Sequence, residues 1–299
     1  MTEKGANTMT VRHWLLILAT AASFGSSFFF IKLAVSDLPP MTIAAGRAMV
    51  AALVIGVVAS RRGVSMPSPG PDWRPLLFVG ALTAIVPYAL IAMGQSHIDS
   101  SLGGILFASI PLFSLAFSRI AFPDQVLSTD RIAGAVIGLA GVAAVIGPQA
   151  LKGLSGQLLG AGLTLAAAAS YAAGGVFTRT QMHLPPMVVA AGQVMVAAPV
   201  LTIAAALTDA PWTLDPSAMA LAAVCAAGLV STALPVVLFF RLISEIGPTR
   251  TSILTFFMPV FSVLLGTILL GEAPGSFAYV GLALIISGAV LISRDGRKK

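Results

Sequence analysis

Pro39-Pro40-Met41-Thr42-Ile43-Ala44-Ala45-Gly46-Arg47-Ala48-Met49-Val50-Ala51-Ala52 returns later in the chain as Pro185-Pro186-Met187-Val188-Val189-Ala190-Ala191-Gly192-Gln193-Val194-Met195-Val196-Ala197-Ala198, with ten of fourteen positions identical. The correspondence continues on both sides. Pro87 pairs with Pro235, and Ile105, Leu106, Pro111, Phe113 and Ser114 pair with Ile253, Leu254, Pro259, Phe261 and Ser262. Further on, Gly134 and Gly141 pair with Gly281 and Gly288. Residues 10–147 and 155–293 are therefore two copies of one unit, joined by a short linker at 148–154.

Each copy holds five apolar runs of about 20 residues, the length that crosses a hydrocarbon core ~30 Å thick at 1.5 Å per residue. They cover 13–34, 40–60, 74–96, 99–121 and 128–147 in the first copy, and 155–178, 186–208, 216–243, 246–270 and 273–293 in the second. Five is odd, so the second copy enters the bilayer from the opposite face. The fold expected is all-α and membrane-integral: ten transmembrane helices as two inverted five-helix repeats, a construction used by carriers that alternate access to a midplane site. Channels and some membrane enzymes share it. Prolines and glycines inside the runs are compatible with helices, because neighbouring spans re-satisfy freed backbone groups.

Composition agrees. Hydrophobic residues make up 57% of the 299 and charged residues 9%, against about a quarter charged in a soluble domain. Such a chain cannot cover itself with a polar surface, and the lipid bilayer is its expected solvent. The net charge of +6 is sorted by loop and does not form a nucleic-acid patch. With a cytoplasmic N-terminus, fourteen of the seventeen Lys and Arg fall inside, Lys32 and Lys152 fall outside, and Arg47 lies within a span. The positive-inside rule thus puts both termini in the cytoplasm of a multi-pass inner-membrane protein. Ala19, Thr20 and Ala21 after Leu15 to Leu18 imitate a signal-peptide cleavage site, but apolar sequence continues through Phe28 to Ile31. The single cysteine, Cys225, excludes an intramolecular disulfide and a thiolate cluster.

The motifs also carry a family likeness. Phe24-Gly25-Ser26-Ser27-Phe28, then Lys32, Pro39 and Arg47, then Leu269-Leu270-Gly271-Glu272 with Gly281 and Gly288, together resemble the ten-helix EamA-type carriers of the drug/metabolite transporter superfamily. The resemblance spans nearly the whole chain. Phe24 stands where Trp is common in that family, a change of side-chain size. The resemblance implies export of small metabolites, amino acids foremost, with drug or organic-cation efflux as the alternative. An integral-membrane transferase is the alternative from another class, and it lacks the Asp-rich motif or paired carboxylates it would need. No enzyme activity, metal or cofactor is expected. Partners are a small-molecule substrate and lipid, with a monomer as the working unit and the oligomeric state open.

Several residues are candidates for the pathway. Ser23, Ser26, Ser27 and Phe30 follow i, i+3, i+4, i+7 spacing and give the first span a small, weakly polar face, matched by Ser170, Ala173, Gly174 and Phe177. That face lines a cavity or packs closely against another helix, since membrane helices favour small residues at contacts. Pro111 and Pro259 remove backbone bonds and free the carbonyls of Phe107 and Thr255; Pro87 and Pro235 do the same for Thr83 and Ser231. Phe24, Phe28, Tyr88, Phe107, Tyr171, Phe239 and Phe256 are aromatic walls of a pocket or packing residues. Tyr88 and Tyr171 need a partner for their hydroxyls at membrane depth. Arg47, opposite Gln193 in the repeat, is an anion contact, a gate or a structural cation. The carboxylates sit in loops or at helix ends, so no embedded proton relay is visible, and Glu272 reads as a cap.

Overall fold

The structure, a computed structural model, describes residues 9–68, 70–124, 128–151, 155–181 and 183–294, and side chains are not considered at 148–151, 180–181 and 248–249. Ten membrane helices follow in order: α1 Val11–Ala34, α2 Pro40–Arg61, α3 Trp73–Gln95, α4 Ser100–Ala121, α5 Thr129–Leu151, α6 Ser155–Gln181, α7 Pro186–Thr208, α8 Ala218–Ile246, α9 Leu254–Leu269 and α10 Ser276–Arg294. No strand occurs among the described residues. Among the described residues nine helices are long and apolar enough to cross a membrane, and α9, with 16 residues, is shorter.

The repeated sequence starts its helices in the same way twice. Pro39 and Pro185 hold extended backbone at the N-cap, and Pro40 and Pro186 occupy the first helical turn. A proline there loses nothing, because that N–H would be an orphan and φ is already helical. Thr10 caps α1 by accepting from the His13 backbone while its own N–H donates to His13 Nδ1. Ser217 caps α8 through Ala220.

Glycines set how closely the halves approach. A Cβ on Gly134 would stand 2.6 Å from the Gly288 carbonyl, and one on Gly141 2.8 Å from that of Gly281. The four glycines that betray the repeat in sequence are thus the seam between α5 and α10. The other symmetric seam joins α2 to α7. The most extensive of the other contacts are exchanged between halves: α1 packs against α8 and α9, and α6 packs against α3 and α4. Each half completes the core of the other.

Helix α5 runs on into the linker as far as Leu151, and 152–154 lie outside the described residues. Two sequence expectations are corrected. The run 246–270 is divided into a short turn at Pro248–Thr251 and then α9, because Gly247, at φ +80°, and a bend at 252–253 interrupt it. Finally, the mirrored prolines act differently. Pro111 sits at the start of a new helical segment and α4 is broken at Ala108–Ser109, whereas Pro259 lies inside an unbroken α9.

Pro87 and Pro235 do act alike. Each is preceded by a π-helical turn, Ala81–Ile85 in α3 and Leu229–Ala233 in α8. A proline removes one i→i−4 bond and crowds the carbonyl it would have met, and a widened turn relieves both. These turns contain Thr83 and Ser231, the residues whose carbonyls the prolines free.

Candidate functional site

The two π turns are where the halves grip each other. At the first, Arg47 on α2 reaches across to α8, where its Nε donates to Thr232 Oγ1 at 2.8 Å. Thr232 in turn donates to the Ala227 carbonyl at 2.8 Å, a five-residue return that only the wide turn permits. The guanidinium carbon lies 4.1 Å from the centroid of the Tyr88 ring. Arg47 is 7% exposed, and its Nη1 has no hydrogen-bond partner among the described residues. Tyr171 on α6 stands within electrostatic reach of both Arg47 and Tyr88. Beside them, the Ser26 and Ser231 hydroxyls share a 2.8 Å hydrogen bond between α1 and α8.

The second junction mirrors the first without a charge. Gln193 on α7 accepts from Thr83 Oγ1 at 2.6 Å, and Ser170 on α6 donates to the Leu82 carbonyl at 2.8 Å. A Cβ on Gly174 would stand 2.4 Å from the Thr83 methyl. The small faces of α1 and α6 therefore dock on the π turns. At Ser26, Ser170 and Gly174 close packing is the role the structure gives them.

The aromatic candidates separate into groups. Phe28, Phe107 and Tyr171 form one edge-to-face series, with centroids 5.5 and 6.0 Å apart. Its last ring, Tyr171, is 37% exposed. Phe24 and Phe239 belong instead to an apolar cluster with Ile17, Leu242 and Leu254 near the end that bears both termini. Ser23 and Ser27 are buried. Gly25 lets α1 touch α9, since a Cβ there would meet the Met258 carbonyl at 2.5 Å.

A cleft of about 300 Å³ opens between α4, α9 and α10 toward the terminus-bearing end, with Arg131 of α5 and Arg179 of α6 at its edge. Pro111, Thr255 and Phe256 line it among the candidates, joined by Ser114, Ser118 and Arg179. Thr255, the residue whose carbonyl Pro259 faces in sequence, is thus at its wall. Phe107 lies one turn before Pro111, across the break in α4, and belongs to the aromatic series. Ser23, Phe24, Ser27, Phe28, Arg47, Tyr88, Phe107, Tyr171, Phe239 and Pro259 are not part of its wall.

The two ends of the bundle are held differently. At the end away from the termini, Glu272 accepts from the backbone N–H of Ser100 and Ser101, at 2.7 and 2.8 Å, and from the Ser101 hydroxyl. Ser262 on α9 donates to the Ser100 carbonyl at 3.0 Å, so α4 and α9 meet there. Burial works to raise the Glu272 carboxyl, and the hydrogen bonds from Ser101 and Ser100 outweigh it and hold the carboxyl below its ordinary value. Lys32 ties α1 to the end of α3 through the Gln95 and Ile98 carbonyls, at 3.1 and 2.7 Å. At the terminus-bearing end, Glu245 on α8 accepts from Arg12 at 2.9 Å and from Arg241 at 3.0 Å.

Sequence reasoning did not find Thr232, named Thr83 only for its carbonyl and not for its hydroxyl, and missed the completely buried Gln95. Mirrored prolines were the signal for the first two, since a π turn before Pro87 and Pro235 brings those hydroxyls inward. Nothing in composition marks Gln95, which reads as an ordinary helix end. Among the described residues no three His, Cys, Asp or Glu side chains come together as a metal site requires.

Comparison with known proteins bears on what this arrangement serves. The EamA-like transporter family matches residues 12–147 and 158–294, one match for each half. The chain is 29% identical over 275 residues to an uncharacterized inner membrane transporter, YedA, of Escherichia coli (strain K12), covering 90% of this chain and 87% of that protein. It is 23% identical over 291 residues to a probable terminal-alkyne amino-acid exporter of Streptantibioticus cattleyicolor, covering 96% and 95%. A protein solved by crystallography shares the fold with a TM-score of 0.67 at 20% identity, over 96% of this chain and 99% of that one.

Proposed function

Because the chain belongs to the EamA-like transporter family of the drug/metabolite transporter superfamily, we propose that this membrane transporter exports small organic metabolites, amino acids foremost, by alternating access. The observation that carries the reading is the pair of junctions at the π turns. Hydrogen bonds between membrane helices are worth only about 0.6 kcal/mol each, so these few polar contacts offer little resistance to a switch between two packings of the halves. With α4 and α9 joined at one end by Ser262 and Glu272, and parted at the other by a cleft, the halves have an axis to rock about. The probable amino-acid exporter among the relatives supports the substrate class.

Orientation belongs to the same proposal. Both termini face the cytoplasm of the inner membrane, which puts the cleft on the side where an exporter loads. Fourteen of seventeen basic residues on that side support it. Organic-cation efflux is the second reading, and the absence of an acidic side chain among the described residues of the cleft wall weighs against it.

Purified protein in liposomes, tested with radiolabelled amino acids and organic cations, distinguishes these. Uptake of one or more amino acids above empty vesicles is expected. Failure of every amino acid, with cations moving, would reverse the assignment.

A further inference from the structure

Arg47 carries a charge that its structural task does not require. Its repeat counterpart, Gln193, also bonds across the halves to a threonine on a π turn, but as a neutral amide that accepts from Thr83 where Arg47 donates to Thr232. An uncharged side chain is thus enough to tie the halves together at the matching place. Retaining a cation at membrane depth costs about 2.5–3.5 kcal/mol on insertion scales, and no carboxylate lies within ion-pair distance of Arg47 among the described residues. The Tyr88 face and Thr232 hydroxyl offset part of that cost. Nη1 remains buried and without a partner.

Around that nitrogen the surroundings suit an anion of modest size. Tyr171, the least buried ring of the aromatic series, lies within electrostatic reach of Arg47 and adjoins Phe107. Phe107 leads to Pro111 and the cleft, whose wall offers Arg179 and the hydroxyls of Ser114, Ser118 and Thr255. A guanidinium presents planar paired donors that match a carboxylate. An aromatic wall beside it suits the apolar part of a small solute.

We propose that Arg47 is the carboxylate-binding residue of the transport site, and that the solutes carried are small organic acids or zwitterions whose carboxylate takes the unpartnered Nη1. The proposal rests on the transport reading above and narrows its substrate class. The solute enters from the cleft, passes Phe107 and Tyr171, and completes the coordination that Thr232 and Tyr88 leave unfinished. Neutral amides of the same shape and organic cations lack the group this site binds.

The test compares acid and amide pairs: L-leucine with L-leucinamide, L-phenylalanine with L-phenylalaninamide, and benzoate with benzamide. Thermal unfolding of the detergent-solubilised full chain reads binding, and counterflow in proteoliposomes reads transport. In the wild type the acids raise Tm, and the amides need roughly 30-fold higher concentration for the same shift. Arg47→Gln, which copies the neutral side chain of the other junction, abolishes that discrimination. Arg47→Lys keeps the charge but loses the paired donors, so it retains the acid preference with about tenfold weaker binding. It also serves as the readout if Arg47→Gln does not fold. An acid preference unchanged in Arg47→Gln, affinity in Arg47→Lys equal to wild type with the glutamine variant unfolded, or no acid shifting Tm more than its amide, overturns the proposal. If acids shift Tm through Arg47 while no amino acid is transported, the export reading fails and this one stands. If amino acids are transported equally well by Arg47→Gln, export stands and this one falls.

Discussion

Arg47 crosses to Thr232 at one junction and Gln193 meets Thr83 at the other, on backbones that repeat turn for turn, yet only the first joins a cation to a ring. The pairing of Pro87 with Pro235 puts Val236 where Tyr88 stands, and Val236 packs into an apolar cluster with Ala191 and Val194. The inverted repeat thus supplies a common frame, and divergence at these two positions and at Thr232, which pairs with Ala84, separates a docking contact from a polar centre able to hold a ligand. Symmetry explains why both π turns exist. It does not explain the charge.

The severest way to break this comparison is to put the cation on the wrong side. Gln193→Arg brings a guanidinium against Val236 with no aromatic face, and it is expected to lower stability by about 3 kcal/mol, as an uncompensated buried charge does. Thermal unfolding in detergent checks it; an unchanged Tm would mean that the second junction tolerates charge as well as the first. Removing the hydroxyl acceptors is gentler. Thr232→Val leaves Arg47 Nε without its partner and should cost about 2 kcal/mol, against about 1 kcal/mol for Thr83→Val beside the neutral amide. Equal costs would erase the distinction between the junctions.

The ends of the bundle extend the comparison. Glu272→Gln keeps the shape of the cap on α4 and removes its charge, with an expected loss of about 1 kcal/mol at neutral pH. The folded carboxyl lies below its ordinary value, so its contribution is fully present above the unfolded carboxylate range, near 4.3, and is lost as pH falls through the folded value. Wild type minus variant, measured as Tm against pH, should therefore shrink on acidification below about pH 4. The smallest effects belong to the serines that dock α1 and α6. Ser26→Ala and Ser170→Ala should each cost about 0.6 kcal/mol, typical of hydrogen bonds between membrane helices, and should differ little from one another.

Much of the fold is legible without coordinates because the bilayer leaves few options. Runs of about twenty apolar residues can only be helices there, and five spans per copy force the copies to run in opposite senses. The α5–α10 seam is also legible, since Gly134, Gly141, Gly281 and Gly288 are repeat positions where a side chain would meet backbone. The site is less so. Phe24, Phe28, Phe107 and Phe239 look alike in sequence, yet two join the series leading to Tyr171 and two pack in an apolar cluster. Pro111 and Pro259 are equivalent in sequence, and only one breaks its helix.

By itself the sequence determined the number of spans, their inverted pairing and the family, because those follow from hydropathy, parity and repeated identities that are local to the chain. Only the tertiary structure decided which polar groups meet. Arg47 and Thr232 are separated by most of both repeats, and their contact depends on helices exchanged between halves and on a π turn that rotates Thr232 inward. That rotation depends on how backbone bonds around Pro235 are re-satisfied by neighbouring helices, and no single segment of sequence specifies it.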